Sequence, residues 1–551
     1  MKLNCKFSCL LFLAFFAQFL KAQTIVLDDQ KSFICFSCND LKINPALEKA
    51  LKKLHNVRAN NLNLVRTNYP NQSDNLVSND TKKRKGNDDD TLFTIMHIGD
   101  SHVQGDYFSG EIRIQLQSRF GNAGRGLLFP YALAKSYGPK GVSVNPSPYW
   151  TGLKTMTGSL HDPLGVTGYG AYAHTPYASF KLALTEKFSE ENVLGTFSVP
   201  EMQKIRIWHS TGQSSFACKL NEDFKLIDSA ISVNDNSWGI SSFQSNVPQN
   251  EFTLKLTKTD SNQDHFGFYG FEIVPEKYRG IVYHHCGVVG AQFPHLINKA
   301  QYTLEQIAFL KPDILVFSFG TNEAYNGKLD TLVYTPTIVK FLEDIHSVSP
   351  NTAIILTTPP DTRSSNRIPQ HQINVIRQFY KIAKDKDLAV YDLNAAMGGW
   401  GSLHHWYKNK LTVSDKLHFN TAGYALQGQL FTLALLEAYN RVNSKDTMNI
   451  YALKSHIQNT IDGFVFKGNN HRYIDSTQGD STVVLDAPVI PEEHIHRQVH
   501  RSQIIHIVKR GETVYAISRK YHVSPNQILK ANKLRKSRGI KPGQRLIIPK
   551  R

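Results

Sequence analysis

Compact apolar runs alternate with helical patterns over much of the chain. Runs of strand length occur at residues 92–98, 280–284, 314–319, 353–356 and 388–391. Apolar positions recur at helical spacing between and beyond these runs, at residues 294–310, 335–345, 370–386 and 421–439. This alternation predicts a parallel sheet with helices on both faces and a ligand site at the carboxyl ends of the strands.

The pattern changes between residues 136 and 278, where apolar and polar positions alternate with a period of two. Residues 180–184, 205–207 and 252–256 are the clearest examples, and Gly, Pro and Asn residues separate the runs. Many short strands between such turns predict a β-sandwich inserted into the α/β domain.

The ends of the chain differ from this central part. Lys2 and Lys6, an apolar run over residues 10–20 and a small residue at Ala22 are typical of a secretory signal peptide cleaved after Ala22. The apolar run is too short for a comfortable membrane span. We therefore expect an exported protein that is periplasmic, associated with the cell wall, or secreted.

These patterns together predict seven segments. A helix over residues 45–57 is expected before a polar linker that ends near residue 90, and a second linker is expected before a compact final module. The predicted order is a signal peptide (1–22), an N-terminal helical segment with its linker (23–90), the α/β domain in two parts (91–135 and 279–440) around the inserted sandwich (136–278), a linker (441–503) and the final module (504–550).

Positive charge is concentrated at the C-terminal end. The chain has a formal net charge of +17, and residues 501–551 contain 14 Lys or Arg against the single acid Glu512, a net of +13. On an exported protein such a tail indicates attraction to an anionic envelope polymer or membrane surface, and the alternative is a merely solvated face.

Three polar islands carry candidate chemistry. Ser101 ends an apolar run in the sequence Gly-Asp-Ser, Asn322 lies in Gly-Thr-Asn-Glu, and Asp415 precedes His418 by three residues. A serine hydroxyl needs a base to remove its proton, and a carboxylate on the same turn as the histidine can orient that base. The residues predict a nucleophile, Ser101, with His418 as base and Asp415 as the orienting acid.

Attack on an ester carbonyl also needs donors where the negative charge develops. The candidates are the side-chain amide of Asn322 and the backbone amides of Gly290 and Ser101. Glycine at position 290 would let a substrate approach closely.

These residues resemble the SGNH (GDSL) hydrolase superfamily, whose signature residues fall in order on Ser101, Gly290, Asn322 and His418, with Asp415 as the acid. The resemblance covers about residues 91–135 and 278–440, and it implies a three-layer, flavodoxin-like α/β fold. Two positions depart from the family pattern, namely His102 for the usual Leu and Glu323 for the usual Asp. The nucleophile elbow of lipases, Gly-x-Ser-x-Gly, is not met.

The position of the insert resembles that in some peptidoglycan O-acetylesterases of this superfamily. Aromatic residues there are candidates for stacking on sugar rings, with core packing as the alternative, and they are Trp150, Trp208, Trp238, Tyr149, Tyr169 and Tyr172. Arg125, in a glycine-rich turn after the nucleophile, is a candidate for contact with an anionic substrate group, with a structural turn as the alternative.

The final module resembles a LysM domain over nearly its full length and is expected to fold as β-α-α-β. The resemblance implies binding to N-acetylglucosamine-containing glycans, chiefly peptidoglycan or chitin. By position, the binding loops contain Gly511, Glu512, Thr513, Val514, Ile540, Pro542 and Gly543.

Cysteine and histidine usage points to no metal site or cofactor. Cys35 and Cys38 are spaced for a small disulfide loop, although free thiols stay open as an alternative, and Cys218 and Cys286 have no close partner in sequence. No second Cys-x-x-Cys is present to complete a zinc site. No nucleic-acid-binding motif is found.

The sequence thus predicts an exported serine esterase that removes O-acetyl groups from peptidoglycan. Three alternatives remain at this stage: an acetyltransferase or an esterase of another polysaccharide using the same residues, a wall-binding scaffold with an inactive hydrolase fold, and a lipase.

Overall fold

A computed structural model describes the residues discussed below. These are 32–68, 91–157, 162–185, 191–192, 195–196, 202–229, 237–274, 279–325, 329–363, 369, 371–464, 504–508, 512–521, 523, 525–532, 534 and 544–548. The predicted signal peptide and much of both predicted polar linkers lie outside the described residues. So do four residues of the predicted LysM loops, Gly511, Ile540, Pro542 and Gly543. Within these ranges no helix is both long and apolar enough to cross a membrane.

Five parallel strands form the predicted central sheet. Their spatial order is Gly280–Gly287, Leu92–Gly99, Ile314–Ser318, Ala353–Thr357 and Ala389–Tyr391. The sheet is buried because helices cover both of its faces. Side chains of Leu92–Gly99 alternate between two cores, with Met96 and Ile98 on one face and Phe93 and Ile95 on the other. This three-layer α/β arrangement confirms the predicted fold class.

The helices of this unit run mostly between the strands. They are Pro45–Asn68, Ser101–Gln104, Phe108–Phe120, Phe293–Lys299, Thr303–Leu310, Thr321–Tyr325, Thr331–Val348, Gln372–Lys386, Leu393–Ala396, Leu403–Lys408, Thr421–Val442 and Tyr451–Asp462, with a 3-10 turn at Tyr131–Ala134.

Two of these helices differ from the sequence prediction. The single helix expected over residues 294–310 is broken near Ala300, because the amide of Tyr302 donates to Leu164 O and the side chain of Gln301 accepts from Leu164 N. Tyr451–Asp462 lies in the predicted linker 441–503, yet it is a helix that buries Leu453, Ile457 and Ile461. Their spacing of four residues forms an apolar stripe that packs into the core.

The insert is a sandwich of two antiparallel sheets, as predicted. The larger sheet has the order Phe224–Ser229, Ser237–Gln249, Met202–Thr211, Phe266–Val274, Tyr169–Ala173 and Thr151–Lys154, with Gly126–Leu128 also paired to Phe266–Val274. The smaller sheet has the order Ala217–Lys219, Glu251–Thr257, Ser179–Leu184 and Val142–Pro146, and a separate hairpin joins Glu191–Asn192 to Gly195–Thr196.

Aromatic rings fill the space between the two sheets. Phe180 of the smaller sheet meets Phe268 of the larger with ring centroids 5.3 Å apart, and Phe252 meets Phe271 at 6.0 Å. The first strand of the larger sheet begins at Gly126, ahead of the expected start at residue 136.

The C-terminal unit has the predicted β-α-α-β order. Strand Ile504–Ile507 pairs antiparallel with Arg545–Ile548, and the helices Val514–Lys520 and Pro525–Ala531 lie between them in sequence. Its own small core contains Val508, Ile517, Val523, Ile528, Leu546 and Ile548. A carboxylate oxygen of Glu512 lies 2.7 Å from His506 Nε2, within hydrogen-bonding distance. This contact fixes the Glu512 side chain against the first strand of the unit.

Cys35 and Cys38 are joined by a disulfide, whereas Cys218 and Cys286 are free. Of the two alternatives left open by the sequence, the structure contains the bridge. The amide of Cys35 also donates to Ala396 O at 3.1 Å, so this small loop is attached to the α/β domain.

Candidate active site

The turn after the second strand of the central sheet presents Ser101. The strand ends at Gly99, and Ser101 begins the short helix Ser101–Gln104. Asp100 caps this helix, since its carboxylate accepts from His102 N at 2.9 Å. A Cβ at Gly99 would lie 2.5 Å from a methyl of Val103 and 2.6 Å from Ser318 O, so only glycine fits where the turn meets the next strand.

His418 and Asp415 meet Ser101 as the sequence predicts. His418 Nε2 lies 2.9 Å from Ser101 Oγ, and His418 Nδ1 lies 2.7 Å from Asp415 Oδ2. The other carboxylate oxygen of Asp415 accepts from the amides of Leu417 and His418, at 2.8 and 2.9 Å. Although partial burial opposes it, the hydrogen bonds from His418 and these amides lower the pKa of Asp415. The carboxylate is therefore held ionised and fixed in direction.

Asn322 follows the carboxyl end of the neighbouring strand Ile314–Ser318 and lies beside Asp100. Its Nδ2 donates to Ala291 O at 2.8 Å and to Asp100 Oδ2 at 3.3 Å. The turn that contains Gly290 is closed by a bond from Ala291 N to Val288 O at 3.0 Å. Gly290 has φ +79°, and an added Cβ would meet only Met156, at 3.8 Å. Its backbone conformation, more than a lack of space, is the structural reason for glycine here.

Glu323 ties the Asn322 segment to the Gly290 segment. Its buried carboxylate accepts from Phe293 N at 2.8 Å, from Gly320 N at 3.0 Å and from the Tyr334 hydroxyl at 3.2 Å. Burial raises the pKa of Glu323 to about 7. The glutamate that departs from the family pattern thus spans two loops that carry candidate oxyanion donors, a role that the sequence did not indicate.

His102, the other departure, packs against the candidate base. Its Nδ1 lies 2.9 Å from the Tyr424 hydroxyl, and its ring centroid lies 5.4 Å from that of His418. Burial and the nearby His418 lower the pKa of His102 well below its usual value. A neutral His102 supports the position of His418 without adding a second positive charge.

Arg125, a candidate for contact with the substrate, lies instead in a buried ion-pair network. Its guanidinium lies 2.5 Å from Asp106 Oδ2, and Arg113 approaches the same oxygen at 3.3 Å. Ser109 donates to the other oxygen of Asp106 at 2.8 Å. The carboxylate of Asp106 pairs with the charge of Arg125, and all these side chains are buried. Of the two alternatives for Arg125, substrate contact and a structural role in its turn, the structure therefore shows the structural role.

The Asp106 network gives a stability prediction. Burial alone would raise the pKa of Asp106, but Arg113, His285 and Arg125 lower it well below its usual range. The stabilisation is therefore complete above the unfolded-state pKa of about 4 and is lost as the pH falls toward the folded-state value. We expect Asp106→Asn to lower the free energy of unfolding at pH 7 by about 3–5 kcal/mol, because two guanidinium groups lose their buried partner.

Urea unfolding at pH 7 and pH 3.5 measures this effect. Asp264→Asn is the control, since Asp264 has an exposed side chain, and it should change stability by less than about 0.5 kcal/mol. A loss for Asp106→Asn no larger than that of the control at pH 7 would contradict the assigned role.

Trp150 is a core residue. It is 7% exposed, its indole N–H donates to Ser179 O at 2.9 Å, and its ring contacts Phe180, Phe266 and Phe268. Of the two alternatives for Trp150, the structure shows core packing, because the sandwich core surrounds its ring. Of the other aromatic candidates, Trp208, Tyr169 and Tyr172 are buried, Trp238 stacks on Trp208 with centroids 5.1 Å apart, and Tyr149 is 51% exposed.

The arrangement can perform nucleophilic acyl chemistry. A serine hydroxyl, an imidazole and a carboxylate are linked in one hydrogen-bonded relay, and amide donors lie at the adjacent strand ends. Fold and site together define the class as a serine hydrolase with an SGNH-type α/β domain.

Comparison with known families agrees with this class. Residues 260–426 match the GDSL-like Lipase/Acylhydrolase family, and residues 506–549 match the LysM domain. The chain therefore carries a GDSL-like acylhydrolase domain and a C-terminal LysM domain. The first match includes Asn322 and His418 but not Ser101, because the inserted sheets separate the nucleophile segment from the rest of the domain.

One of the solved structures similar to this chain shares its fold. A peptidoglycan O-acetylesterase is 19% identical with a TM-score of 0.53, over 64% of this chain and 92% of that one. A lipase/acylhydrolase from Enterococcus faecalis is 24% identical (TM-score 0.24; 30% of this chain, 78% of that one). A family two carbohydrate esterase from Clostridium thermocellum is 10% identical (TM-score 0.24; 50% and 95%). Comparison with curated proteins gave no match.

Proposed function

We propose that this protein is an exported serine esterase that removes O-acetyl groups from peptidoglycan. The observation that carries the proposal is the Ser101–His418–Asp415 relay in an acylhydrolase domain whose chain also contains a LysM domain. The fold shared with a peptidoglycan O-acetylesterase supports the same substrate class.

In the proposed reaction, Ser101 Oγ attacks the acetyl carbonyl while His418 Nε2 takes the hydroxyl proton. Asp415 holds the imidazole and stabilises its charged form. The protonated His418 then donates the proton to the sugar oxygen, so that the sugar hydroxyl leaves and Ser101 carries the acetyl group. Water, deprotonated by His418, attacks this acetyl-enzyme and releases acetate and free Ser101.

The tetrahedral oxyanion is stabilised by three donors, which are Asn322 Nδ2 and the backbone amides of Gly290 and Ser101. Asn322 directs its amide toward Asp100 through the longer of its two hydrogen bonds, at 3.3 Å. Burial raises the pKa of Asp100 well above its usual value. The substrate oxygen takes over this donor as its negative charge develops.

Asn322→Ala should lower kcat for acetyl esters by about 10²–10³-fold with a smaller change in KM, because the lost donor acts mainly in the transition state. Steady-state kinetics on an aryl acetate measure both constants. The matched control is Asn351→Ala, since Asn351 precedes the strand Ala353–Thr357 and so lies at the opposite edge of the sheet. Equal kcat values for the two variants would remove Asn322 from the oxyanion site.

The LysM domain would hold the esterase on its polymer. Even modest affinity for N-acetylglucosamine-containing glycan raises the effective concentration of acetylated sugars at Ser101. The net charge of +13 over residues 501–551 adds a salt-sensitive attraction to anionic wall polymer. Export of the chain, which the first 22 residues predict, would bring the protein to this substrate.

A substrate panel tests the proposal. Purified protein is incubated with O-acetylated peptidoglycan, O-acetylated xylan and tributyrin, and released acetate or butyrate is quantified. The proposal predicts the highest kcat/KM on peptidoglycan, and a molar excess of a free sugar acceptor should not reduce acetate yield. Preferred hydrolysis of xylan or tributyrin, or transfer to the acceptor in place of hydrolysis, would overturn it.

A further inference from the structure

A cavity beside the relay combines cationic and aromatic side chains that the proposed reaction does not use. It has a volume of about 110 Å³, and its lining includes Arg363, Trp400, His404, Tyr407 and Lys416.

The cavity adjoins the catalytic turn through its backbone. Lys416 directly follows Asp415 in the chain, and its carbonyl accepts from Arg363 N at 2.8 Å. On the other side, the hydroxyls of Tyr325 and Thr362 lie 3.2 Å apart, which links the cavity wall to the helix Thr321–Tyr325 that contains Asn322. The cavity wall is therefore continuous with the segments that carry Asp415 and Asn322.

The electrostatic character of the cavity is positive. Arg363 is exposed, and Lys416 Nζ lies 4.3 Å from the centroid of the Tyr407 ring. The carboxyl of Asp361 is close enough to interact electrostatically with Arg363. Partial burial and the positive charges of Lys408, Arg363 and Lys416 lower the pKa of His404, which agrees with a local excess of positive charge.

The acid in the lining, Asp361, offsets part of this positive charge, because the nearby charge of Arg363 lowers the pKa of Asp361 against the raising effect of its burial. It is buried, and one of its oxygens accepts from Gly401 N at 3.0 Å and from Leu403 N at 2.9 Å. These bonds fix the loop that presents Trp400. Asp361 thus shapes the cavity wall, and with Arg363 and Lys416 as two cations against one acid the lining keeps an excess of positive charge.

Lys416 has a left-handed backbone conformation. Its φ of +56° is in the left-handed region, where a residue with a Cβ is less stable than glycine. A lysine in this conformation places a cation over Tyr407 at the cavity edge.

We propose that this cavity is a subsite for a carboxylate carried by the glycan substrate, next to the sugar whose acetyl ester is cleaved. Arg363 can bind a carboxylate with two parallel hydrogen bonds, Lys416 supplies a second positive charge, and Trp400 offers an apolar face to a sugar ring or peptide stem. The inference rests on the proposed function, because peptidoglycan carries such carboxylates close to its acetylated sugars. With this subsite, the choice of substrate depends on the negative charge of the glycan as well as on its acetyl ester.

Paired substrates test the subsite. Soluble O-acetylated muropeptides with free carboxylates are compared with the same muropeptides after carbodiimide amidation to neutral carboxamides. The full-length protein should have a kcat/KM about 10-fold higher for the free carboxylates, in line with one charge-assisted contact at a partly exposed site. Arg363→Gln should reduce that preference to less than about 3-fold, by the same contact energy.

Arg377→Gln is the matched control, because Arg377 is an exposed arginine on the helix Gln372–Lys386 outside the cavity lining. It should keep the full preference. Any charge effect from the basic C-terminal unit is common to both variants, so their difference isolates the cavity.

A binding measurement separates this inference from the proposed function. Calorimetry with Ser101→Ala protein and muropeptides that lack acetyl groups needs no turnover, and the preference for free carboxylates should again fall with Arg363→Gln. Equal affinity for free and amidated muropeptides, or a preference that Arg363→Gln leaves intact, overturns the subsite. A preference that follows Arg363, together with no acetate release from either substrate, overturns the esterase proposal and keeps the subsite.

Discussion

Ser101→Ala is expected to lower kcat for acetyl esters by about 10⁴–10⁶-fold, because the variant has no hydroxyl to form the acetyl-enzyme. The residual rate would come from the oxyanion donors and binding alone. Hydrolysis of an aryl acetate gives the rate, and intact-protein mass spectrometry after treatment with a fluorophosphonate gives the modification of the nucleophile. The wild-type protein should gain one adduct, and Ser101→Ala should gain none.

The matched control is Ser143→Ala, because Ser143 is exposed on the strand Val142–Pro146 of the sandwich. It should keep wild-type activity and accept one adduct. Binding of Ser101→Ala to peptidoglycan should also persist, since the LysM domain is a separate unit of the chain. Substantial turnover by Ser101→Ala, or labelling of a different serine, would contradict the assigned nucleophile.

His418→Ala is expected to reduce kcat by a similar factor, about 10⁴–10⁶-fold. Its Nε2 is the base within 2.9 Å of Ser101 Oγ, and the hydroxyl is a weak nucleophile without it. His346→Ala is the control, because His346 lies exposed near the end of the helix Thr331–Val348. Stopped assays at high protein concentration measure the residual rates.

The double variant sharpens this prediction. Because Ser101 and His418 act as a unit, Ser101→Ala combined with His418→Ala should be about as slow as either single variant. If the fold-losses in kcat of the two single variants multiply in the double variant, the two residues act independently. The Ser101–His418 relay would then not be the catalytic unit.

Local pattern predicted the residues of the relay because each lies next to a recognisable element. Ser101 follows a buried strand, and Asp415 and His418 are close enough in sequence to meet in one turn. The carboxyl ends of parallel strands meet at one edge of a sheet, which brings Asn322 to the same place. The same alternation of strands and helices predicted the three-layer domain, and period-two alternation predicted the sandwich.

Pairings between distant residues were not predictable in this way. Arg125 lies in a glycine-rich turn that gives no sign of its buried partner Asp106, which is 19 positions earlier. Glu323 reaches Phe293 N across the fold, and no periodicity indicates such a contact. For Trp150, an aromatic residue between turns has the same appearance in sequence whether it faces solvent or the inside of a sandwich.

Helix boundaries depend on the same long-range contacts. Tyr451–Asp462 follows polar residues, and the sequence therefore predicts a linker there, yet its buried Leu453, Ile457 and Ile461 are spaced to pack as one stripe. The break between Phe293–Lys299 and Thr303–Leu310 is set by bonds to Leu164 in the inserted part of the chain. Sequence periodicity could detect the first of these features but not the second.

Acetate release from O-acetylated peptidoglycan, followed over time with the wild-type protein and with Ser101→Ala, tests the central claim most directly. Peptidoglycan whose acetyl groups have been removed chemically is the substrate control. The account predicts release by the wild-type protein from the acetylated polymer, and none from the de-acetylated polymer or with Ser101→Ala. Binding to both polymers without acetate release by the wild-type protein would contradict it.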